Sequence, residues 1–116
     1  MMEAKILLVG RSTEVMSILS AELKKFERDV VYANSEELVK EKLEENEIDF
    51  VVVGAGLPDE TRKGMEQMIQ ALFPKLPIYM IERTPDGNPA KMIGFTNEKA
   101  VMWKVEKVLG STLNSR

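Results

Sequence analysis

The sequence contains neither cysteine nor histidine among its 116 residues. The absence of cysteine excludes disulfides and thiol nucleophiles, and the absence of histidine removes the commonest general base and metal ligand near neutral pH. A long hydrophobic run is missing as well, because the apolar stretch at residues 6–9 is too short for a signal peptide or a membrane span. We therefore expect a cytoplasmic protein without catalytic residues, metal, cofactor or membrane partner.

An excess of basic charge is also absent. The chain has 16 lysines and arginines against 19 acidic residues, a formal charge of -3, and the two signs are mixed along its length. Domains that bind nucleic acid are usually basic, so we do not expect a nucleic-acid partner. With 44% hydrophobic and 30% charged residues, the composition is that of a soluble globular chain. Its length fits one domain, which we predict at residues 1–110, with residues 111–116 as a tail or the start of a linker.

Short apolar runs alternate with longer segments of helical period. We predict strands at 6–9, 30–33, 48–53, 77–81 and 91–95. The alternation predicts an α/β fold of the flavodoxin-like, doubly wound type, with a five-stranded parallel sheet in the order 2-1-3-4-5 between two helical layers. Ser12 or Thr13 is a suitable cap for the first helix, Asn34 or Ser35 for the second and Thr96 for the last, and the third is predicted at 64–73.

The connection before the fifth predicted strand is anomalous. Residues 83–90 contain two prolines and number only eight. A parallel crossover normally needs a dozen or more residues, usually with a helix. We favour a crossover that is shortened or lacks its helix, and the alternative is that the fifth strand is misplaced or antiparallel.

Residues 49–58 read as a buried strand that runs into a loop containing Pro58. This segment resembles the central strand of response-regulator receiver domains, in which an aspartate accepts a phosphoryl group and a proline follows four residues later. The matching position here is Gly54, which has no side chain to phosphorylate. The resemblance extends over residues 5–109 and implies a role in two-component signal transduction.

Other positions depart from the receiver pattern in the same way. The acidic pair that holds magnesium after the first strand corresponds to Gly10 and Arg11, and the hydroxyl-bearing switch residue corresponds to Glu82. Receivers also carry a lysine after the fifth strand. It has no clear counterpart here, since residues 94–96 read Gly-Phe-Thr. The resemblance therefore implies a degenerate receiver, or pseudo-receiver. Such a domain acts through protein–protein interaction, as a homodimer or by docking to a kinase, an output domain or another regulator.

An alternative function is the binding of a small anionic ligand or nucleotide in the crevice at the carboxyl ends of the first and third strands, where ligands bind in this fold. Arg11 precedes a helix, where a guanidinium and free backbone amides can receive an anion. The candidate ligand residues are Arg11, Ser12, Gly54, Ala55 and Gly56. Arg11 also has two simpler alternatives, an internal ion pair with Glu82 or plain solvation.

Trp103 is the single tryptophan, and its place on the last helix suggests a binding surface. If Val101, Val105 and Val108 form the buried stripe, Trp103 lies roughly 160° away on the polar face. Tryptophan is enriched among interface hot spots, and the resemblance places the receiver dimer or effector surface in this region. We predict an interface made by Lys99, Trp103 and Lys107, the alternative being that the 83–90 loop or the tail covers the ring.

Overall fold

The computed structural model describes residues 3–82 and 90–114, the last five of these as backbone only. Strands and helices alternate, as the sequence predicts. The elements are β1 (Lys5–Val9), α1 (Thr13–Lys24), β2 (Asp29–Ala33), α2 (Glu36–Glu45), β3 (Phe50–Val53), α3 (Asp59–Leu72), β4 (Ile78–Met80) and α4 (Lys91–Asn114).

The strands form one parallel sheet in the order β2-β1-β3-β4. The four-residue strand β3 and the last four residues of β1 are fully buried, because helices cover both faces of the sheet at its centre. The predicted α/β class and the predicted order of the first four strands are therefore confirmed.

The core is divided by the sheet into two clusters. On one face, Ile6 and Leu8 of β1 join α1 and α4; on the other, Leu7 and Val9 join α2 and α3. Successive side chains of a strand point to opposite faces, so one continuous apolar run supplies both clusters.

Serine caps begin the first two helices. Ser12 Oγ accepts a hydrogen bond from the Val15 amide, and Ser35 Oγ accepts one from the Leu38 amide, both at 3.2 Å. The third helix begins at Asp59, five residues earlier than predicted. Its first turn carries Asp59 and Glu60, which favour the positive end of a helix. The acidic, polar sequence at residues 59–63 favours a loop, and that prediction is wrong.

The strand predicted at residues 91–95 is wrong. Residues 91–95 form the first turn of α4, and the described part of the sheet contains four strands. The α4 residues that face the core include Met92, Thr96, Ala100 and Trp103, three or four positions apart as in a helix. The short apolar run around Met92 is typical of a strand when read by itself. The spacing over residues 92–103 is that of a helix. Thr96, predicted as the helix cap, is instead fully buried inside α4.

The orientation of α4 is also opposite to the prediction. Trp103 is half-buried and packs against the core, whereas the three valines expected inside are about half exposed. Together with two neighbours they form an apolar surface that we call the outer stripe: Val101, Met102, Val105, Val108 and Leu109. The helix is apolar on two opposite sides, so the pattern alone did not indicate which side faces the sheet.

Polar contacts fix α4 to the edge of the sheet where the strands begin. Arg28 Nε donates to Asn97 Oδ1 at 2.8 Å, and Lys104 Nζ donates to Glu3 Oε1 at 2.9 Å. Beyond Lys104 the backbone stays helical to Asn114, with no break at residue 110. The division of the chain at residues 110 and 111 stays a prediction. The predicted loop at 83–89 lies outside the described residues.

Candidate functional site: the crevice at the carboxyl ends of the strands

The sheet brings Gly10, Gly54 and Ile81 to one edge. The Gly10 amide donates to the Ala33 carbonyl at 3.1 Å, the Gly54 amide to the Val9 carbonyl at 2.7 Å, and the Ile81 amide to the Val53 carbonyl at 2.9 Å. These bonds extend the ladders by one residue past the ends of β1, β3 and β4. In open α/β sheets this edge, at the point where the strand order reverses, is where ligands bind.

Met16 occupies the space in front of Gly10. A β-carbon built at Gly10 would lie 2.5 Å from Met16 Cε and 2.6 Å from Met16 Sδ, far inside van der Waals contact. Met16 is itself buried, as part of the cluster between α1 and the sheet. The position that matches an acidic metal ligand in receivers is therefore filled by a thioether, with no room for a larger residue unless Met16 moves.

Met92 covers Gly54 in a similar way. A β-carbon at Gly54 would lie 3.4 Å from the Val9 carbonyl oxygen and 3.5 Å from Met92 Sδ. Both Gly54 and Met92 are buried. A methyl group fits at this distance, and a longer side chain at this position would meet the end of the Met92 side chain. The two methionines thus make the floor of the crevice apolar.

Arg11 lies at the mouth of the crevice. A β-carbon at Gly56 would lie 3.8 Å from Arg11 Cβ, so these two candidate ligand residues lie close together. Arg11, Ser12 and Glu82 are exposed. Within the described residues, no ion pair joins Arg11 to Glu82, so the internal pair is not formed. Of the two simpler alternatives for Arg11, the structure shows a solvated side chain.

Arg62 is a residue of the crevice that the sequence reasoning missed. It lies in the first turns of α3 and is only 9% exposed. Its guanidinium donates to the Ile81 carbonyl, and Nη1 lies 3.8 Å from the exposed carboxylate of Asp59. The Nε atom is buried and has no hydrogen-bond partner. The sequence does contain a signal for Arg62. The residue is spaced with Met65 and Ile69 along the buried side of α3, and an arginine at an apolar position of such a stripe is unusual.

The groups that line the crevice determine its chemistry. Its buried floor carries sulfur, methyl and backbone groups, and within residues 3–82 and 90–114 no three acidic side chains come together as metal ligands. Magnesium prefers hard oxygen ligands in octahedral geometry. Phosphoryl transfer to a carboxylate depends on that metal to neutralise developing charge. Neither the acceptor nor the acidic ligands occupy the matching positions here.

The three predicted interface residues make contacts within the domain. Lys99 Nζ lies 4.8 Å from the centre of the Tyr79 ring, and Lys107 Nζ lies 5.7 Å from the centre of the Trp103 ring. Both distances are within the range of cation–π attraction. Trp103 itself packs on the core, so the surface that α4 presents to solvent is the outer stripe on its opposite side.

Sequence comparisons give no relative. No protein-family model matches the chain, and no curated protein matches it. In the described part of the chain, no helix is long and apolar enough to cross a membrane.

Comparison with solved structures identifies the fold as that of response-regulator receiver domains. A CheY-like receiver domain from Methanospirillum hungatei JF-1 superposes with a TM-score of 0.68 at 16% identity, covering 90% of this chain and 99% of that one. The receiver domain of a putative LuxO repressor protein from Vibrio parahaemolyticus gives 0.65 at 15% identity, covering 93% and 98%. The receiver domain of an HD domain-containing protein from Pseudomonas fluorescens Pf-5 gives 0.61 at 20% identity, covering 72% and 67%. At these identities the likeness concerns the fold.

Proposed function

We propose that this chain is a receiver-like signalling domain that cannot be phosphorylated in the manner of receivers and that acts through protein–protein interaction. The observation that carries the proposal is the filling of the crevice by two methionines. Met16 occupies the space in front of Gly10 and Met92 covers Gly54, so the positions of a metal ligand and of the phosphoacceptor carry no carboxylate and lie against buried thioethers. The domain then has no catalytic step of its own.

The receiver-like fold supports a signalling role, and the outer stripe of α4 supports interaction. Five large apolar side chains lie on one side of this helix and are between 42% and 55% exposed. Scattered apolar residues are normal on protein surfaces, but a contiguous patch marks an interaction site. The stripe replaces Trp103 and its two lysines as the proposed interface, because those residues are engaged within the domain. We place the domain in the cytoplasm, where receiver-type signalling takes place.

The experiment that tests this function is an amide-resolved NMR titration with magnesium and beryllofluoride, a mimic of the phosphoryl group. We expect no saturable shift at Gly10, Gly54 or Glu82, and no gain of phosphate by mass spectrometry after incubation with acetyl phosphate. A phosphorylatable receiver treated in parallel is the positive control. Saturable shifts at these residues, or a stable phosphoryl adduct, would contradict the proposal.

A second candidate function uses the mouth of the crevice. Arg11 is exposed and its Cβ lies beside exposed Gly56, so the mouth of the crevice carries a guanidinium that could attract an anion. The domain would then sense a small phosphate-bearing ligand at residues 11, 12 and 54–56. Titration with a panel of nucleotides distinguishes the two functions, since only the sensor gives saturable shifts that disappear in Arg11→Ala.

A further inference from the structure

A groove lies between the end of α2 and the end of α3, at the edge of the sheet where the strands begin. Residues 43–48, Phe73 and Leu76 line it, and we call it the amino-edge groove. Its volume is about 430 Å³, within the range of ligand-binding pockets. Ile48 and Leu76 come just before β3 and β4, so the groove is at the opposite edge of the sheet from Gly54.

Four of the eight lining residues are apolar. Leu43 is buried, Ile48 and Leu76 are half-buried, and Phe73 remains 39% exposed after the last turn of α3. Leu72, which precedes Phe73, is 46% exposed. Neighbouring large apolar side chains that stay exposed beside a concave site indicate a surface that a partner buries.

The other lining residues are acidic or polar. Glu44, Glu45 and Glu47 are exposed, and Asn46 completes the set. In the described part of the chain, none of the three glutamates forms an ion pair. Three such carboxylates around one concavity give it a negative potential, which attracts a cation.

Two helix carboxyl ends add to this negative potential. At the end of α2, the Asn46 amide and Asn46 Nδ2 both donate to a single carbonyl, that of Lys42. Among the described residues, no backbone amide donates to the three carbonyls that follow, at residues 43–45. At the end of α3, Pro74 has no N–H to donate. Both helices therefore leave carbonyl acceptors beside the three carboxylates.

Two lysines flank the groove without lining it. Lys42 precedes Leu43 on α2, and Lys75 precedes Leu76. Within residues 3–82 and 90–114, neither lysine forms an ion pair with the glutamates of the groove. They reduce the negative potential without reversing it, because three carboxylates and two helix ends oppose two ammonium groups.

Arginine matches these groups better than a metal ion does. Its planar guanidinium has five N–H donors, which can bond to carboxylate and carbonyl oxygens together, and its faces stack on aromatic rings such as Phe73. A metal ion needs several ligands at one point, and in the described part of the chain no three acidic side chains come together in that way. An aliphatic residue next to the arginine would cover Leu72 and Phe73.

We infer that the amino-edge groove docks a basic segment of a partner protein. An arginine of that segment contacts the glutamates and Phe73, and a neighbouring aliphatic side chain packs on the apolar part of the groove. This inference rests on the proposed function and names the chemistry of one partner surface. The groove holds only a few side chains, so the contact belongs to the weak, reversible class.

An amide-resolved NMR titration of the full chain with the peptide acetyl-Arg-Leu-Arg-amide tests the site. We expect saturable shifts at residues 43–48, 73 and 76, with half-saturation at about 1 mM, as for a small contact. The control peptide has citrulline in place of both arginines, which keeps the shape and removes the charge. It should bind at least about tenfold more weakly. Shifts that do not saturate, or equal binding of the two peptides, overturn the inference.

Variants of α2 test the role of the acidic residues. Glu44→Gln combined with Glu45→Gln should weaken peptide binding at least about fivefold. The matched control is Glu36→Gln combined with Glu37→Gln, which removes the same charge from the first turn of the same helix, about 12 Å away. At physiological salt this distance exceeds the screening length, so the control should bind as the parent does. Equal weakening by the two pairs overturns the inference.

Lys75 provides a test of opposite sign. Lys75→Ala removes a positive charge beside the groove and should strengthen peptide binding by about twofold. Weaker binding after this substitution contradicts the docking of a cation.

The outcomes also separate this inference from the proposed function. If spermidine, a small polyamine, binds as tightly as the peptide, the groove is a general cation site and the docking of a protein segment is overturned. A groove that gives no shifts with the peptide overturns this inference and leaves the proposed function, which is tested at Gly10 and Gly54 on the opposite edge of the sheet. Saturable shifts at those glycines with beryllofluoride overturn the proposed function, whatever the groove binds.

Discussion

The sulfur of Met92 lies 3.5 Å from the point that a β-carbon would occupy at Gly54. This contact joins the first turn of α4 to the end of β3, at the centre of the crevice. Gly54 therefore differs from a phosphoacceptor position in its packing as well as in its missing carboxylate. The backbone at Gly54 packs against a buried thioether of the hydrophobic core.

Restoring an acidic residue at Gly54 should therefore destabilise the domain without restoring phosphorylation. Gly54→Ala adds a methyl group at ordinary contact distances and should change the free energy of unfolding by less than about 1 kcal/mol. Gly54→Asp puts a polar group in a buried, apolar place and should cost about 2–3 kcal/mol. Urea unfolding measures both, and acetyl phosphate should leave Gly54→Asp unmodified. Equal stabilities of the two variants would show that the crevice is more open than this contact indicates.

Gly10 and Met16 should be energetically coupled. A β-carbon at Gly10 would overlap the end of the Met16 side chain, so Gly10→Ala forces a buried methionine out of its place and should cost about 1–3 kcal/mol. In a Met16→Ala background the overlap is gone, and adding Gly10→Ala should cost much less. A double-mutant cycle by urea unfolding gives the coupling energy. Additive costs would mean that Met16 rearranges freely.

Trp103→Ala should affect folding stability. The ring packs against the core, so truncation should lower the free energy of unfolding by about 2 kcal/mol, less than for a fully buried tryptophan. The control is Ile18→Ala on α1, which is 59% exposed and should change stability by no more than about 0.5 kcal/mol. Thermal unfolding at low protein concentration separates this effect from any dimer. A Trp103→Ala domain as stable as the parent would favour the original assignment of the ring to a binding surface.

Glu3 should give the domain an acid-sensitive contact. The hydrogen bond from Lys104, together with the nearby charge of Arg28, lowers the pKa of Glu3 below its ordinary value of 4.5. A group whose pKa is lower in the folded state stabilises that state above its unfolded pKa. The contribution of Glu3 to folding stability is therefore complete near neutral pH. It is lost as the pH falls below about 4.5 and through the lowered pKa of the folded state.

The measurement is the free energy of unfolding of the parent and of Glu3→Gln between pH 7 and pH 3. The parent should lose more stability than the variant over the acidic part of this range, so the two curves converge. Curves that stay parallel would show that the Glu3–Lys104 contact does not contribute in solution.

Much of the fold follows from local patterns. The apolar runs around Leu8 and Val52 are strands because they are buried on both sides, and the serines at 12 and 35 cap helices as their chemistry requires. The crevice follows too, because a parallel sheet with this order brings Gly10 and Gly54 to one edge.

The parts that could not be predicted depend on choices between equivalent patterns. In α4, two apolar stripes lie on opposite sides of one helix, and the one that includes Thr96 faces the sheet. Valines are more hydrophobic than threonine and alanine, so composition favours the wrong side. Likewise, no local pattern shows that Met16 and Met92 meet the two glycines, because these contacts join residues brought together by the sheet.

The α4 helix connects the two ends of the molecule. Its first turn rests on Gly54 at the carboxyl edge of the sheet, and its last turns extend beyond Glu3 at the opposite edge. A helix of 24 residues is a stiff rod about 36 Å long. A rigid displacement of the first turn would therefore also move the last turns of the helix, and the reverse holds as well. A domain of this design can couple its two ends mechanically, without a chemical modification at either.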